Sequence, residues 1–292
     1  MLPETKYFLS GKFYLKILLP ALIIMFLSIS AGASVTYKNV LRVSDGKVIT
    51  FEEMVRELRG VAMVFLGEDH DNERHHKAQL DIITALYGTR ISLAVGLEMF
   101  RAENQNVLNR WVRGNLDTGV FIRAYYENWS FPWPLYRDIF VYSRQKGIPM
   151  IGLNVPENIS RKVSTGGFSS LGPEELKELP PGISCDIDEK YMKFIKKAYE
   201  GHGRTQKSFL NFCEAQMVWD KTMAWRLIEY KKKNPARSLV VLAGAGHSWK
   251  HGIPAQVKRA SKYHSMVVLA DVPSRGYRSK VSLEDADYVL LD

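Results

Sequence analysis

The chain has 292 residues, 46% apolar and 24% charged, enough to bury the core of one large α/β domain and ordinary for a globular protein. Its formal charge of +9 favours anionic partners, but Lys and Arg are spread along the chain, which argues against a nucleic-acid partner. The two cysteines, Cys185 and Cys213, show no CxxC or Cys/His pattern, so structural zinc is not expected. They form either one disulfide or two unrelated buried thiols.

Lys12 and Lys16 precede a short apolar run, Ile17 to Ile29, and the small residues Ala31-Gly32-Ala33 follow. This is the pattern of a secretory signal cut after Ala33. Residues 1–33 are therefore expected to be a signal peptide and residues 34–292 a single α/β domain, periplasmic or secreted. An uncleaved signal would make it membrane-associated instead.

Val35–Val43 and Lys47–Ile49 read as a hairpin turning at Asp45-Gly46, and Thr50 with Glu53 as a capping box that starts a helix. Val61 to Leu66 is an unbroken apolar strand. It breaks into Gly67-Glu68-Asp69-His70-Asp71 and then a helix whose apolar positions are Ala78, Ile82, Ile83 and Leu86. A second buried strand, Ile91–Leu97, ends at Glu98. Helical periodicity covers Glu103–Arg113, Thr118–Trp129 and Pro134–Lys146, and a third strand, Ile148–Leu153, ends at Asn154.

Residues 156–235 read as a helical insertion, with a Gly/Pro-rich loop at 164–187 and helices over 189–199 and 207–232. Lys231-Lys232-Lys233 reads as a solvated helix end. A fourth strand, Ser238–Ala243, breaks into Gly244-Ala245-Gly246-His247. A helix over 254–261 leads to a fifth, Met266–Ala270, ending at Asp271, and Tyr288–Leu291 reads as a terminal edge strand. Strands alternating with helices predict a central, mostly parallel sheet with helices on both faces.

In a parallel sheet the polar strand ends converge on the carboxyl edge, where ligands bind. Glu68, His70, Glu98 and His247 then form a candidate catalytic cluster. His70, Glu98 and His247 supply a mixed N/O ligand set for a divalent metal, and a spare carboxylate could take a proton from water. Helix capping is the rival reading of Asp69 and Asp71, and His75 and His76 read as helix-surface residues. Nine aromatic residues fall between Phe121 and Tyr142. Their spacing fits a core face, or else a platform for a flat ligand in which Tyr125, Tyr126 or Tyr136 could bind ferric iron. His202, between two glycines, is a further candidate ligand.

Taken in order, Gly67-Glu68-Asp69-His70-Asp71, Gly96-Leu97-Glu98-Met99-Phe100, Ile148 to Pro156 and Gly244-Ala245-Gly246-His247 resemble the ChaN-like haem-binding proteins. These belong to a superfamily with the Tiki and TraB proteins and the erythromycin esterases. The resemblance spans roughly residues 48 to 271. It implies haem as the cofactor and partner, haem or iron uptake with outer-membrane haem-uptake machinery, and a homodimer holding haems face to face. The Tiki-like branches imply the alternative, a metal-dependent hydrolase, peptidase or esterase, with His70, Glu98 and His247 in its site. ChaN-like proteins are often lipoproteins, whereas no cysteine stands at the signal cleavage region here.

Overall fold

The computed structural model describes residues 35–184, 189–200, 206–270 and 281–291. The signal expected over residues 1–33, His202, Asp271 and Cys185 lie outside the described residues. Cys213 is buried and disulfide-bonded.

Two short strands, β1 (Asn39–Arg42) and β2 (Lys47–Thr50), form the expected antiparallel hairpin. Thr50 then caps α1 (Phe51–Leu58): its hydroxyl accepts from the Glu53 amide while the Glu53 carboxylate accepts from the Thr50 amide. The chain continues through β3 (Met63–Glu68), α2 (Glu73–Gly88) and β4 (Leu93–Arg101). Three helices follow, α3 (Gln105–Val112), α4 (Thr118–Asn128) and α5 (Trp133–Lys146), the last stopped by Gly147 in the left-handed conformation at φ +63°.

After β5 (Met150–Asn154) come α6 (Glu157–Gly166), α7 (Pro173–Lys177), α8 (Glu189–Glu200) and the long α9 (Gln206–Lys233). The chain closes with β6 (Ser238–Gly244), α10 (Ala245–Ser248), α11 (Ile253–Ala260), β7 (Ser265–Ala270) and β8 (Tyr288–Leu291).

Among the described residues the eight strands form one sheet in the order β2-β1-β8-β7-β3-β6-β4-β5. Every pairing from β8 to β5 is parallel. The reading of Tyr288–Leu291 as an edge strand is corrected here. β8 is interior, parallel to β7 and antiparallel to β1, and all four of its side chains are buried.

Alternation along the strands divides the core. Val64 and Leu66 of β3 face α1 to α5, with Ile82, Leu86, Trp111, Phe121 and Phe140; Met63 and Phe65 face α9 and α11, with Leu227, Ile228 and Val257. The lysine run at the end of α9 also differs from expectation. Lys231 is buried, and its ammonium donates to the carbonyls of Pro235 (2.9 Å) and Arg237, closing the turn into β6.

Candidate functional site

The parallel register sets the site. Glu68, the last residue of β3, pairs with Gly244, the last of β6, and Glu98 follows directly on the Leu97–Leu242 pair of β4 and β6. Three adjacent strands therefore deliver two carboxylates and a glycine to one edge, and the turn after β3 and the helix after β6 add His70 and His247.

The ring of His70 lies over Gly244, where a Cβ would come within 2.8 Å of His70 Cε1. Its Nδ1 donates to Glu68 Oε1 at 2.6 Å, and the Tyr136 hydroxyl donates to the same oxygen at 3.0 Å. His247 is held in the same way from another element: Nδ1 donates to Asp220 Oδ1 at 2.6 Å, and the Tyr191 hydroxyl donates to Oδ2 of that buried carboxylate. Glu98 lies between the two histidines. One oxygen accepts from the Gly244 amide at 2.7 Å, and the other is 3.8 Å from His247 Nε2. Asn154, at the end of β5, donates to the Glu98 carbonyl at 2.9 Å.

The charges follow from this packing. Burial works against protonation of His247, but Asp220 and Glu98 outweigh it and push its pKa up to about 9. His70 is likewise raised: burial opposes, while the bond to Glu68 and the charge of Glu98 prevail.

Two readings of this region are corrected. His75 and His76 are buried, not on the helix surface. His75 Nδ1 accepts from the Asp69 amide at 3.0 Å and so ties the turn, while His76 Nε2 donates to the His70 carbonyl at 3.2 Å and lies 3.5 Å from the second Glu68 oxygen. Nor do Asp69 and Asp71 cap α2. Asn72 does, accepting from the Arg74 amide.

The aromatic segment divides between core and surface. Tyr125 and Tyr136 are buried, with hydroxyls engaged by the Phe131 carbonyl (2.9 Å) and Glu68, and burial pushes both phenols well above their ordinary range. Tyr126 is 51% exposed; its oxygen accepts from the Trp133 amide at 3.1 Å. Trp129 and Phe131, both half-buried, pack on the His70 ring with centroids 5.0 and 4.9 Å away.

Residues 54–257 match the family described as haem-binding uptake, Tiki superfamily, ChaN. The chain belongs to this family. Among solved structures, the ChaN of Campylobacter jejuni, described with cofacial haem binding, is 23% identical at a TM-score of 0.69, covering 86% of this chain and 95% of that one. That likeness shows that the ChaN fold is shared. A mutant of the erythromycin esterase EreC in its open conformation is 14% identical at a TM-score of 0.48, covering 80% of this chain and 76% of that one. No curated protein matches the sequence.

Two site residues of this ChaN family member escaped sequence reasoning, Tyr191 and Asp220. Asp220 had a signal: it sits on the apolar stripe of α9 formed by Cys213, Met217, Ala224 and Leu227, where an ionisable residue needs a buried partner. The divalent-metal reading gains no support. Among the described residues no group of three or more His, Cys, Asp or Glu side chains is arranged to hold a metal ion.

Proposed function

We propose that this chain is a haem-binding protein that serves haem or iron uptake outside the cytoplasm. The observation carrying the proposal is the aromatic rim beside His70. Trp129 and Phe131 offer apolar surface next to a histidine of raised pKa, and Tyr126, in the same segment, is 51% exposed.

These residues fit what a porphyrin requires. Its faces want aromatic surface, its ferric iron takes phenolate oxygen, and its propionates want positive charge. Tyr126 would hold the iron, Trp129 and Phe131 would cover the ring, and His70 would meet a carboxylate. Tyr125 and Tyr136 are packed in the core and support the rim from below. We infer a homodimer holding haems face to face as the loaded form, in line with the cofacial haem binding described for the Campylobacter jejuni protein. Delivery to or from outer-membrane haem-uptake machinery completes the role we infer.

Haem titration of the full-length chain, followed by absorbance, tests this. A saturable, shifted Soret band is expected, altered in Tyr126→Phe. A wild-type titration without saturation overturns the reading.

A second reading rests on the two histidine–carboxylate pairs with Glu98 between them. A protonated imidazole and a buried carboxylate held close together can serve as general acid and base, so hydrolysis at His70, Glu98 and His247 is the alternative. Turnover of an ester such as p-nitrophenyl acetate that is lost in Glu98→Gln, with haem affinity intact, would favour it. No turnover above that of buffer would discard it.

A further inference from the structure

A second feature lies on the helices that carry the aromatic segment, away from the cluster above. α3 ends at Val112, the chain turns through Gly114 at φ +76°, and the last turns of α5 pass alongside. Between them is a cavity of about 470 Å³. Val112 and Val141, both half-buried, give it apolar surface beside the buried Trp111; Arg113, Thr118, Arg144 and Gln145 are its polar lining, and no acidic side chain is among the lining residues.

Arg144 is fixed in place. Its guanidinium stacks on the Trp111 ring at 4.3 Å from the centroid and makes one long hydrogen bond, 3.4 Å, to the Gly114 carbonyl, so most of its donors are unused. Arg113 is exposed and makes no ion pair or hydrogen bond with its side chain among the described residues. The same holds for the Thr118 hydroxyl and the Gln145 amide. The neighbouring carboxylates are already committed: Asp117 accepts from the Gly119 and Val120 amides to cap α4, and Asp138 pairs with Arg137. Arg110 and Lys146 stand on the same two helices and add to the positive field.

Two guanidiniums sharing one groove without a counter-charge repel each other, and an oxyanion relieves that repulsion. We propose that this groove binds an organic anion, a carboxylate or phosphate carried on an apolar body, through Arg113 and Arg144. The forked guanidinium geometry suits a planar carboxylate or a phosphate, and the half-buried Val112 and Val141 suit the body. The groove shares no residue with the rim of Tyr126, Trp129 and Phe131, so this inference stands apart from the haem reading.

Phenyl phosphate titrated calorimetrically into the full-length chain is the test. Saturable one-to-one binding is expected, weakened about tenfold by Arg113→Gln and again by Arg144→Gln. It should persist in Arg137→Gln, which removes an α5 arginine outside the groove, and in the haem-saturated protein. The Arg113 side chain is exposed and makes no hydrogen bond or ion pair among the described residues, so its variant folds as the parent does. Absence of binding, or an equal loss in Arg137→Gln, overturns the site. Inorganic phosphate binding as tightly as phenyl phosphate overturns the apolar half of the ligand class. Binding confined to vesicles containing phosphatidylglycerol would make this face a membrane contact instead.

Discussion

The imidazole of His70 rests on the α-carbon of Gly244, so close that any side chain at 244 would have to displace it: an added Cβ would be 2.8 Å from Cε1 and 3.1 Å from Nε2. Gly244 has an ordinary negative φ of −53°, so its lack of a side chain is explained by this contact and not by its backbone. Gly244→Ala should push His70 off Glu68 and cost about 1–3 kcal/mol in chemical denaturation. The His70 pKa, followed by NMR, should fall as its bond to Glu68 is lost. A variant with parental stability and an unmoved His70 would mean the ring has room to spare.

His247 gives a pH dependence with a definite sign. Its folded pKa, about 9, lies above the ordinary 6.5. Folding therefore favours the protonated form, and that stabilisation is complete below about pH 6.5 and is lost as the pH rises through 9. Asp220 on α9 and Glu98 on β4 are the carboxylates that maintain it, with burial opposing. Asp220→Asn should bring the His247 pKa down towards or below 6.5 and flatten the fall in thermal stability between pH 6.5 and 9. An unchanged titration curve in that variant would remove Asp220 from the account.

The three tyrosines should part company on replacement by Phe. Tyr126→Phe removes a half-exposed phenol and with it the acceptor for the Trp133 amide at the start of α5, so the haem spectrum should change at a stability cost of about 0.5–1 kcal/mol. Tyr125→Phe takes the donor from the Phe131 carbonyl and Tyr136→Phe takes one from buried Glu68. Each should cost roughly 1–3 kcal/mol of stability and leave the shape of the haem spectrum as it was. The reverse pattern, a spectral change in Tyr125→Phe alone, would put the iron ligand in the core.

Lys231 offers a test outside the site. Burial lowers its pKa, and its ammonium joins two backbone carbonyls between α9 and β6. Lys231→Met keeps the apolar stem and leaves both carbonyls without their donor, at an expected cost of about 1–3 kcal/mol in urea denaturation. The neighbouring, exposed Lys233→Met should stay within about 0.5 kcal/mol of the parent.

Local signals were legible where a few neighbouring residues decide the outcome. The Asp45-Gly46 hairpin, the Thr50–Glu53 capping box and the strand–helix alternation each depend on such short stretches, and the parallel sheet follows from the alternation. The convergence of Glu68, Glu98 and His247 was legible for the same reason, since each stands directly on or shortly after the apolar run of a parallel strand. His75 and His76 were misread because their position was judged against His70. Measured from Ile82 and Ile83 they lie seven residues back, on the same buried stripe of α2. Tyr191 and Asp220 met across distant helices, which no local pattern announces. β8 looked like an edge because nothing within the segment says which strands will flank it.

That last strand makes the sheet a construction with its keystone set late. Arg42 pairs with Tyr288 and Ala270 with Leu290, so the strands at the start of the domain meet the parallel sheet only through residues at its far end. Until β8 arrives, β7 is a bare rim with unpaired amides and carbonyls, and the hairpin has nothing to join. A chain interrupted before residue 288 would carry an open rim able to recruit strands from other copies. Adding residues 288–291 closes that rim and attaches the hairpin in one step.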